Sequence, residues 1–308
     1  MSNLPTQHHG LNTHARHLDK ALTALLWTAC FRWTATLVID RLLGGNGLTR
    51  KLIDQKLLVE HPISNPFSPV RYYTTLSKEG LALLQRHWNE IGCSVHGHLA
   101  MCLSSYFSLP PRPDHRIRKA RFEHDLHVQL KVAALVRRYG MRLDGLHLAD
   151  EIERTPPAKR PSKIPDAIID LRSKSFPADR TISKVWIEIE LSRKNAREID
   201  VFCAFYRAAL AGITEKKFQG LGIYCHPSVL AQWRRDFART IIPKWHFREE
   251  KRTWVRLEPK DWHRFPELSD EDLDRYIMPL APTPSRKKSS AAQAPARDAP
   301  SASGHRSA

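Results

Sequence analysis

A chain of 308 residues with 42% hydrophobic and 8% aromatic side chains is too long for one small domain and comfortable for two packed ones. Lys and Arg number 49 against 32 Asp and Glu, a formal charge of +17, which points to a polyanionic partner: DNA, RNA or an anionic membrane surface. The most apolar run, Ala21 to Phe31, is too short to cross a bilayer and is followed by Arg32 and Asp40, so no membrane insertion is expected. The first residues, with His, Asn and Gln, lack the basic start and apolar stretch of a signal peptide. Cys30, Cys93, Cys102, Cys203 and Cys225 are scattered with no CxxC, which argues against a disulfide framework or a zinc site. Reduced thiols in a cytoplasm are the expectation.

Residues 1–16 read as a flexible N-terminus, and His8, His9, His14 and His17 lack the strand context of a metal cluster. Residues 17–88 form one pattern. Asp19 to Arg32 is a predicted helix with Leu22, Leu25, Leu26 and Cys30 on one side. Thr34 is placed to cap a second helix running through Leu43. Gly44 to Gly47 is a turn. Leu48 to Leu58 is a third helix, with Leu48, Leu52, Ile53 and Leu57 inward and Arg50, Lys51, Gln55 and Lys56 outward. A short strand, a loop rich in Pro, Asn and Ser, and a returning strand from Val70 to Leu76 follow, the latter with Arg71 near its start. Thr75 or Ser77 then opens a closing helix.

An exposed basic helix suits the major groove, and a basic hairpin suits the DNA backbone or minor groove. The DNA-binding candidates are therefore Arg50, Lys51, Gln55, Lys56 and Arg71. The order helix, helix, turn, basic helix, hairpin, helix is that of a winged helix-turn-helix, and RYYTTLSKEGLALL resembles that class. A protein-binding module is the alternative use of the same unit.

Residues 89–114 are a connector ending in a Pro-rich break, and residues 115–280 are a second domain. Arg121 to Tyr139 is a long helix ended by Gly140. Met141 to Ile152 is a strand or hairpin arm, Asp166 to Leu171 a strand, and Lys184 to Leu191 another. Lys194 to Ala211 is a helix, Gly220 to Cys225 a buried type of strand, and Ser228 to Ala238 a helix. A strand pair is expected in PKWHFREEKRTWVRLEP. Residues 281–308, rich in Pro, Ser and Ala, form a basic tail that cannot offset its ordering entropy by burial.

The strand VWIEIELSRK carries the chemistry. Side chains at i and i+2 share a face roughly 6.6 Å apart, so Glu188 and Glu190 lie together, opposite Ile187 and Ile189. Two close carboxylates repel unless water or a cation intervenes. With Asp166 from the preceding strand they make an oxygen-rich set suited to Mg²⁺ or Mn²⁺, which on a phosphate activates a nucleophile and neutralises the leaving oxygen. Lys194, four residues beyond Glu190, is positioned for a phosphate or for developing charge. The bland alternative is a half-solvated strand.

IPDAIIDL followed by VWIEIELSRK resembles the two acidic strands of the PD-(D/E)xK nucleases, and the element order resembles the restriction-endonuclease-like fold. The expected class is therefore α+β or α/β: a winged helix-turn-helix followed by a restriction-endonuclease-like mixed-sheet domain. The chain departs from the common nuclease pattern, because Glu190 stands where the motif Lys is usual. Asp166 followed by Glu188-x-Glu190-x-x-x-Lys194 behind a winged helix is similar to the plasmid replication-relaxation family and MobC-type mobilization relaxases. That resemblance implies metal-dependent nicking of double-stranded DNA at a plasmid origin of transfer, partners in a relaxosome, and a site contribution from Glu123 or His124. The alternatives are a non-catalytic winged-helix regulator of replication, transfer or transcription, and a hydrolytic PD-(D/E)xK nuclease.

Overall fold

A computed structural model of the protein describes residues 13–63, 68, 70–87, 121–139, 146–149, 163–170, 184–214 and 218–281. The connector and the C-terminal tail expected from the sequence lie outside the described residues, as does most of the N-terminal segment. The architecture is mixed α and β, with one five-stranded sheet and several two-stranded pairs among the described residues. None of the described helices is long and apolar enough to cross a membrane.

The chain opens with α1 (Thr13–Phe31), α2 (Thr36–Leu43) and α3 (Leu48–Asp54). The antiparallel strands β1 (Leu58–Pro62) and β2 (Tyr72–Leu76) follow, and α4 (Lys78–Arg86) closes the unit. Leu22, Leu25 and Leu26 are buried on α1 as their spacing predicts, joined by the fully buried Trp27.

Two local expectations are corrected. Thr34 does not cap α2: the N-cap is Ala35, with no side-chain hydrogen bond. The Thr34 backbone is instead bridged to Thr74, its N–H donating to the Thr74 carbonyl at 2.9 Å and its carbonyl accepting at 2.7 Å, which places it in a strand-like bridge one residue before the N-cap. The third helix ends at Asp54 rather than Leu58. Leu57 N–H donates to the Leu52 carbonyl and Lys56 N–H to that of Ile53, both at 2.8 Å, while Lys56 sits at φ +59°. This is the Schellman helix stop, which usually takes Gly at the left-handed position. With Lys there, nothing in the sequence warns of it. Ser77, the second of the two candidates, caps α4 by accepting from Gly80 N–H at 2.8 Å.

Beyond the connector, α5 (Phe122–Tyr139) packs onto this first unit, and the two share one continuous core. Trp33 stacks on Phe122 with ring centroids 4.3 Å apart. The Gln129 amide links both sides, accepting from the Trp27 indole at 3.3 Å and donating to the Trp33 carbonyl at 3.1 Å. Placing the Gln129 amide in the core is tolerated because both its ends are bonded.

The main sheet takes β3 (Leu146–Leu148), β4 (Ala167–Asp170), β5 (Lys184–Glu190) and β6 (Gly220–Cys225). Strands β3, β4 and β5 run antiparallel, and β6 lies parallel to β5. Between β5 and β6 the chain crosses over through α6 (Ala196–Leu210), the connection that a parallel pair requires. After α7 (Pro227–Ala238) come β7 (Ile241–Ile242), β8 (Trp245–Arg248), β9 (Thr253–Arg256) and β10 (His263–Arg264). Helix α8 (Asp270–Tyr276) then leads into β11 (Ile277–Pro279), a parallel edge strand beside β6 that the sequence pattern did not reveal. The sheet order is β11-β6-β5-β4-β3, so β5 is central. Ile187 and Ile189 face the core shared with α5; Trp186 faces a second core built with α6, α7 and α8.

Gly80 is a point of close approach: a Cβ there would meet the Leu57 carbonyl oxygen at 2.1 Å. Since backbone cannot move aside as a flexible side chain can, Gly80→Ala is expected to cost about 1–3 kcal/mol of stability. Urea unfolding of the variant against wild type measures this; an unchanged midpoint would show that α4 does not dock as described.

Candidate active site

The register of the central strands builds the site. Ala167 pairs with Ile187, so continuing the antiparallel ladder by one residue sets Asp166 opposite Glu188. Asp166 extends that pairing with its side chain: its carboxylate accepts from Ile189 N–H at 2.7 Å. Glu188 and Glu190 point to the face of β5 covered by α6, and they are only 2% and 3% exposed. The half-solvated-strand reading is therefore excluded, since both faces of β5 are covered.

Buried carboxylates need partners, and each of the three has its own. Lys163 Nζ lies 2.9 Å from Glu188 Oε1, and the Tyr206 hydroxyl donates to the same oxygen. Lys194 Nζ donates to Glu190 Oε1. His124 Nε2 lies 3.2 Å from Asp166 Oδ2, while its Nδ1 lies 3.3 Å from Asp125. Five residues expected from the sequence, Asp166, Glu188, Glu190, Lys194 and His124, line one cavity of about 640 Å³ together with Glu123. Arg121, Lys163, Ser192, His226 and Ser228 complete its polar lining.

Burial and pairing compete over the protonation states. Burial pushes the Glu188 carboxyl up to about 7, against the opposing pull of Lys163. Burial also raises Glu190, with Lys194 opposing. Burial would raise Asp166 too, but hydrogen bonding and attraction from His124, the Ile189 N–H and Lys163 together hold it below the usual carboxylate range. His124 is the counterpart: burial alone would lower it, yet Asp125 and Asp166 outweigh burial and bring it to about 10. At neutral pH the site thus contains an ionised Asp166 locked to a cationic His124, and a Glu188 close to its titration point.

Some of these groups were not legible as site residues. Lys163 sits in a Pro-rich basic loop with no periodicity, and its only signal is its place three residues before Asp166. Tyr206 is fully buried in the core beneath the strand, and its hydroxyl also fixes Glu188. His226 enters at the end of β6, where its ring accepts from Ser228 N–H at 3.3 Å at the start of α7.

The DNA-facing candidates are elsewhere. Arg50 and Lys51 are exposed on α3, and Gln55 and Lys56 are exposed in the turn after it, not on the helix itself. Arg71 is exposed just before β2. Arg50 Nε lies 3.1 Å from Asp54 on an open surface, a pair worth little. Cys203 and Cys225 are buried thiols pushed up to about 12 by burial, unsuited to nucleophilic work.

All three carboxylates offer the hard oxygens that Mg²⁺ and Mn²⁺ take, so the donor set fits such an ion in kind. Among the described residues no group of three or more His, Cys, Asp or Glu side chains is arranged to hold a metal as it stands. Lys163 and Lys194 supply the positive charge that Glu188 and Glu190 need.

The raised Glu188 gives a prediction with a definite sign. Between its ordinary value of 4.5 and about 7, the unfolded chain loses this proton while the folded chain keeps it, so the group penalises folding increasingly as pH rises through that window. Measured by urea unfolding in EDTA, Glu188→Gln is expected to gain on the order of 2 kcal/mol relative to wild type between pH 5 and pH 8. A pH-independent difference would show that Glu188 is not held in the buried state described. No family profile, curated protein or solved structure matches this chain.

Proposed function

We propose that the protein is a DNA-binding, metal-dependent endonuclease that nicks a plasmid or mobile-element origin, with the N-terminal unit as a winged helix-turn-helix. The observation that carries this reading is the gathering of Asp166, Glu188, Glu190, Lys194 and His124 around one cavity at the central strands of the sheet. The succession α5, β3, β4, β5, α6, β6 supports a restriction-endonuclease-like domain, and the formal charge of +17 suits a nucleic-acid partner. The order of α1 to α4 around the β1–β2 hairpin supports the winged helix, with Arg50, Lys51 and the following turn facing solvent.

On this reading Asp166, Glu188 and Glu190 would hold Mg²⁺ or Mn²⁺, which would supply Lewis-acid stabilisation at the scissile phosphate. Lys163 and Lys194 then have a second use. Both ammonium groups line the cavity, where they would supply the cations that a phosphate needs. Tyr206 holds the Glu188 carboxylate by its hydroxyl, and the cationic His124 keeps Asp166 ionised and oriented. Relaxosome proteins would be the partners of such an enzyme at its origin.

A second reading has one observation in its favour. Glu188 and Glu190 are each already neutralised by a lysine of the same chain, which a non-catalytic regulator could use as scaffold. Conversion of supercoiled plasmid to open circle separates the two. With Mg²⁺ or Mn²⁺ and DNA flanking the gene, wild type is expected to nick, EDTA to abolish nicking, and Asp166→Asn or Glu188→Gln to slow it at least about a hundredfold. Binding without nicking under all these conditions would favour the regulator; nicking of any plasmid regardless of sequence would favour an ordinary hydrolytic nuclease. In the same preparations, Arg50→Ala with Lys51→Ala is expected to lower the salt slope of duplex binding by about 2, since each phosphate left without its cation removes roughly 0.9.

A further inference from the structure

The β8–β9 hairpin stands apart from the main sheet: among the described residues its two strands pair only with each other. Phe247 is directly opposite Trp254 in the register, so both rings lie on one face, with centroids 5.3 Å apart. They are 37% and 43% exposed, unusual for two large aromatics in contact. The hairpin is held at its base. The Trp245 indole donates to the buried Asp200 of α6 at 2.9 Å, and Asp200 is also paired with Arg239 at 2.8 Å. Arg256 lies over the Trp245 ring at 5.1 Å and over Trp262 at 5.8 Å. A hairpin fixed this firmly presents its part-exposed aromatics, on the same face as Trp245, as a prepared surface and not as a frayed end.

Charge says what that surface suits. Arg197 places its guanidinium 5.1 Å from the centroid of the Trp254 ring. Arg256 is exposed on the same face of the hairpin as the two rings, Arg248 is exposed on the opposite face, and Lys244 is exposed just before the strands. At the tip Glu249 and Glu250 are balanced by Lys251 and Arg252, so the flanks of the aromatic pair keep a positive excess. An apolar protein partner would have no use for this cationic surround. Duplex DNA hides the faces of its bases and cannot stack on a side chain. Unpaired bases joined by phosphates match both features, because every base has a face to stack and every linkage an anion to neutralise. The location agrees: Arg197 is in the first turn of α6, three residues after the cavity-lining Lys194.

We propose that the β8–β9 hairpin binds single-stranded DNA, with bases stacked on Phe247 and Trp254 and the backbone held by Arg197 and Arg256. This rests on the nucleic-acid reading above and deepens it, by giving unpaired DNA beside the acidic cavity a place to lie. It does not depend on cleavage.

The test is fluorescence anisotropy of labelled oligothymidylate and of a mixed-sequence duplex with the full chain in EDTA. Phe247→Ala with Trp254→Ala is expected to weaken single-strand binding by roughly tenfold for each ring, and duplex binding by less than about threefold. Phe247→Tyr with Trp254→Phe, which keeps the ring faces, is expected to restore single-strand binding. Both rings are exposed, so the variants should melt with wild type; circular dichroism checks this. If the alanine variant binds single strands as well as wild type does, or if wild type binds duplex but no single strand, the hairpin proposal is overturned while the nicking proposal stands. Loss of both binding modes in the folded alanine variant would also overturn it, by making the rings part of general DNA binding. Wild type that binds neither form overturns both proposals. A dimer in sedimentation that the alanine variant loses, without loss of single-strand affinity, would mark this face as an interface between copies and overturn it as well.

Discussion

The constraint on which the rest of the structure depends is a central strand that carries two carboxylates into the interior. A buried ion costs several kcal/mol unless close partners return that energy. Strand β5 has no solvated face to give them, because β4 and β6 lie on its two sides and helices cover both surfaces. The surroundings therefore have to be polar in the right places: Lys163 from the loop before β4, Lys194 from the approach to α6, and Tyr206 from α6 itself. A hydrophobic residue at 188 or 190 would make a simpler core. A buried charge set of this size, opening on one cavity, is what singles out the strand as the candidate site.

The partners are spread over the chain, which ties the integrity of the site to the whole fold. His124 comes from α5, and α5 also carries Gln129, which bridges Trp27 and Trp33 of the first unit. The helix that orients Asp166 is thus packed into the core that supports the basic surface of α3. Packing of this kind is stiff, and it transmits displacement instead of absorbing it.

On the other face, α6 links the acidic strand to the aromatic hairpin. Its first turn follows Lys194 and carries Arg197, its middle holds Asp200 against Trp245, and its later residues supply Tyr206 to Glu188 and Arg207 to the carbonyl of Arg239 at 3.3 Å. A single helix therefore has three tasks, and its inner face is correspondingly rich in buried polar groups, Asp200 and Arg207 among them. Each of these two is hydrogen-bonded, as a low-dielectric setting demands.

Sequence alone determined the elements that rest on local periodicity. The alternation in VWIEIELSRK made β5 a strand with both glutamates on one face, the run of leucines and valines made α5 a long helix, and the aromatic pattern of the last region made a hairpin. It also brought Asp166, Glu188, Glu190 and Lys194 together as candidates, since strand geometry and a Pro-Asp preceding strand are local signals; His124 entered only through the family resemblance. What the sequence could not carry were features that arise only when distant segments meet. The stop of α3 at Asp54 uses a lysine in a left-handed conformation, the short β11 is a strand only because β6 offers it an edge, and Thr34 is withdrawn from capping by its bridge to Thr74. Lys163 and Tyr206 become site residues for the same reason: burial of Glu188 requires a cation and a donor, and only the tertiary structure decides which side chains are near enough to provide them.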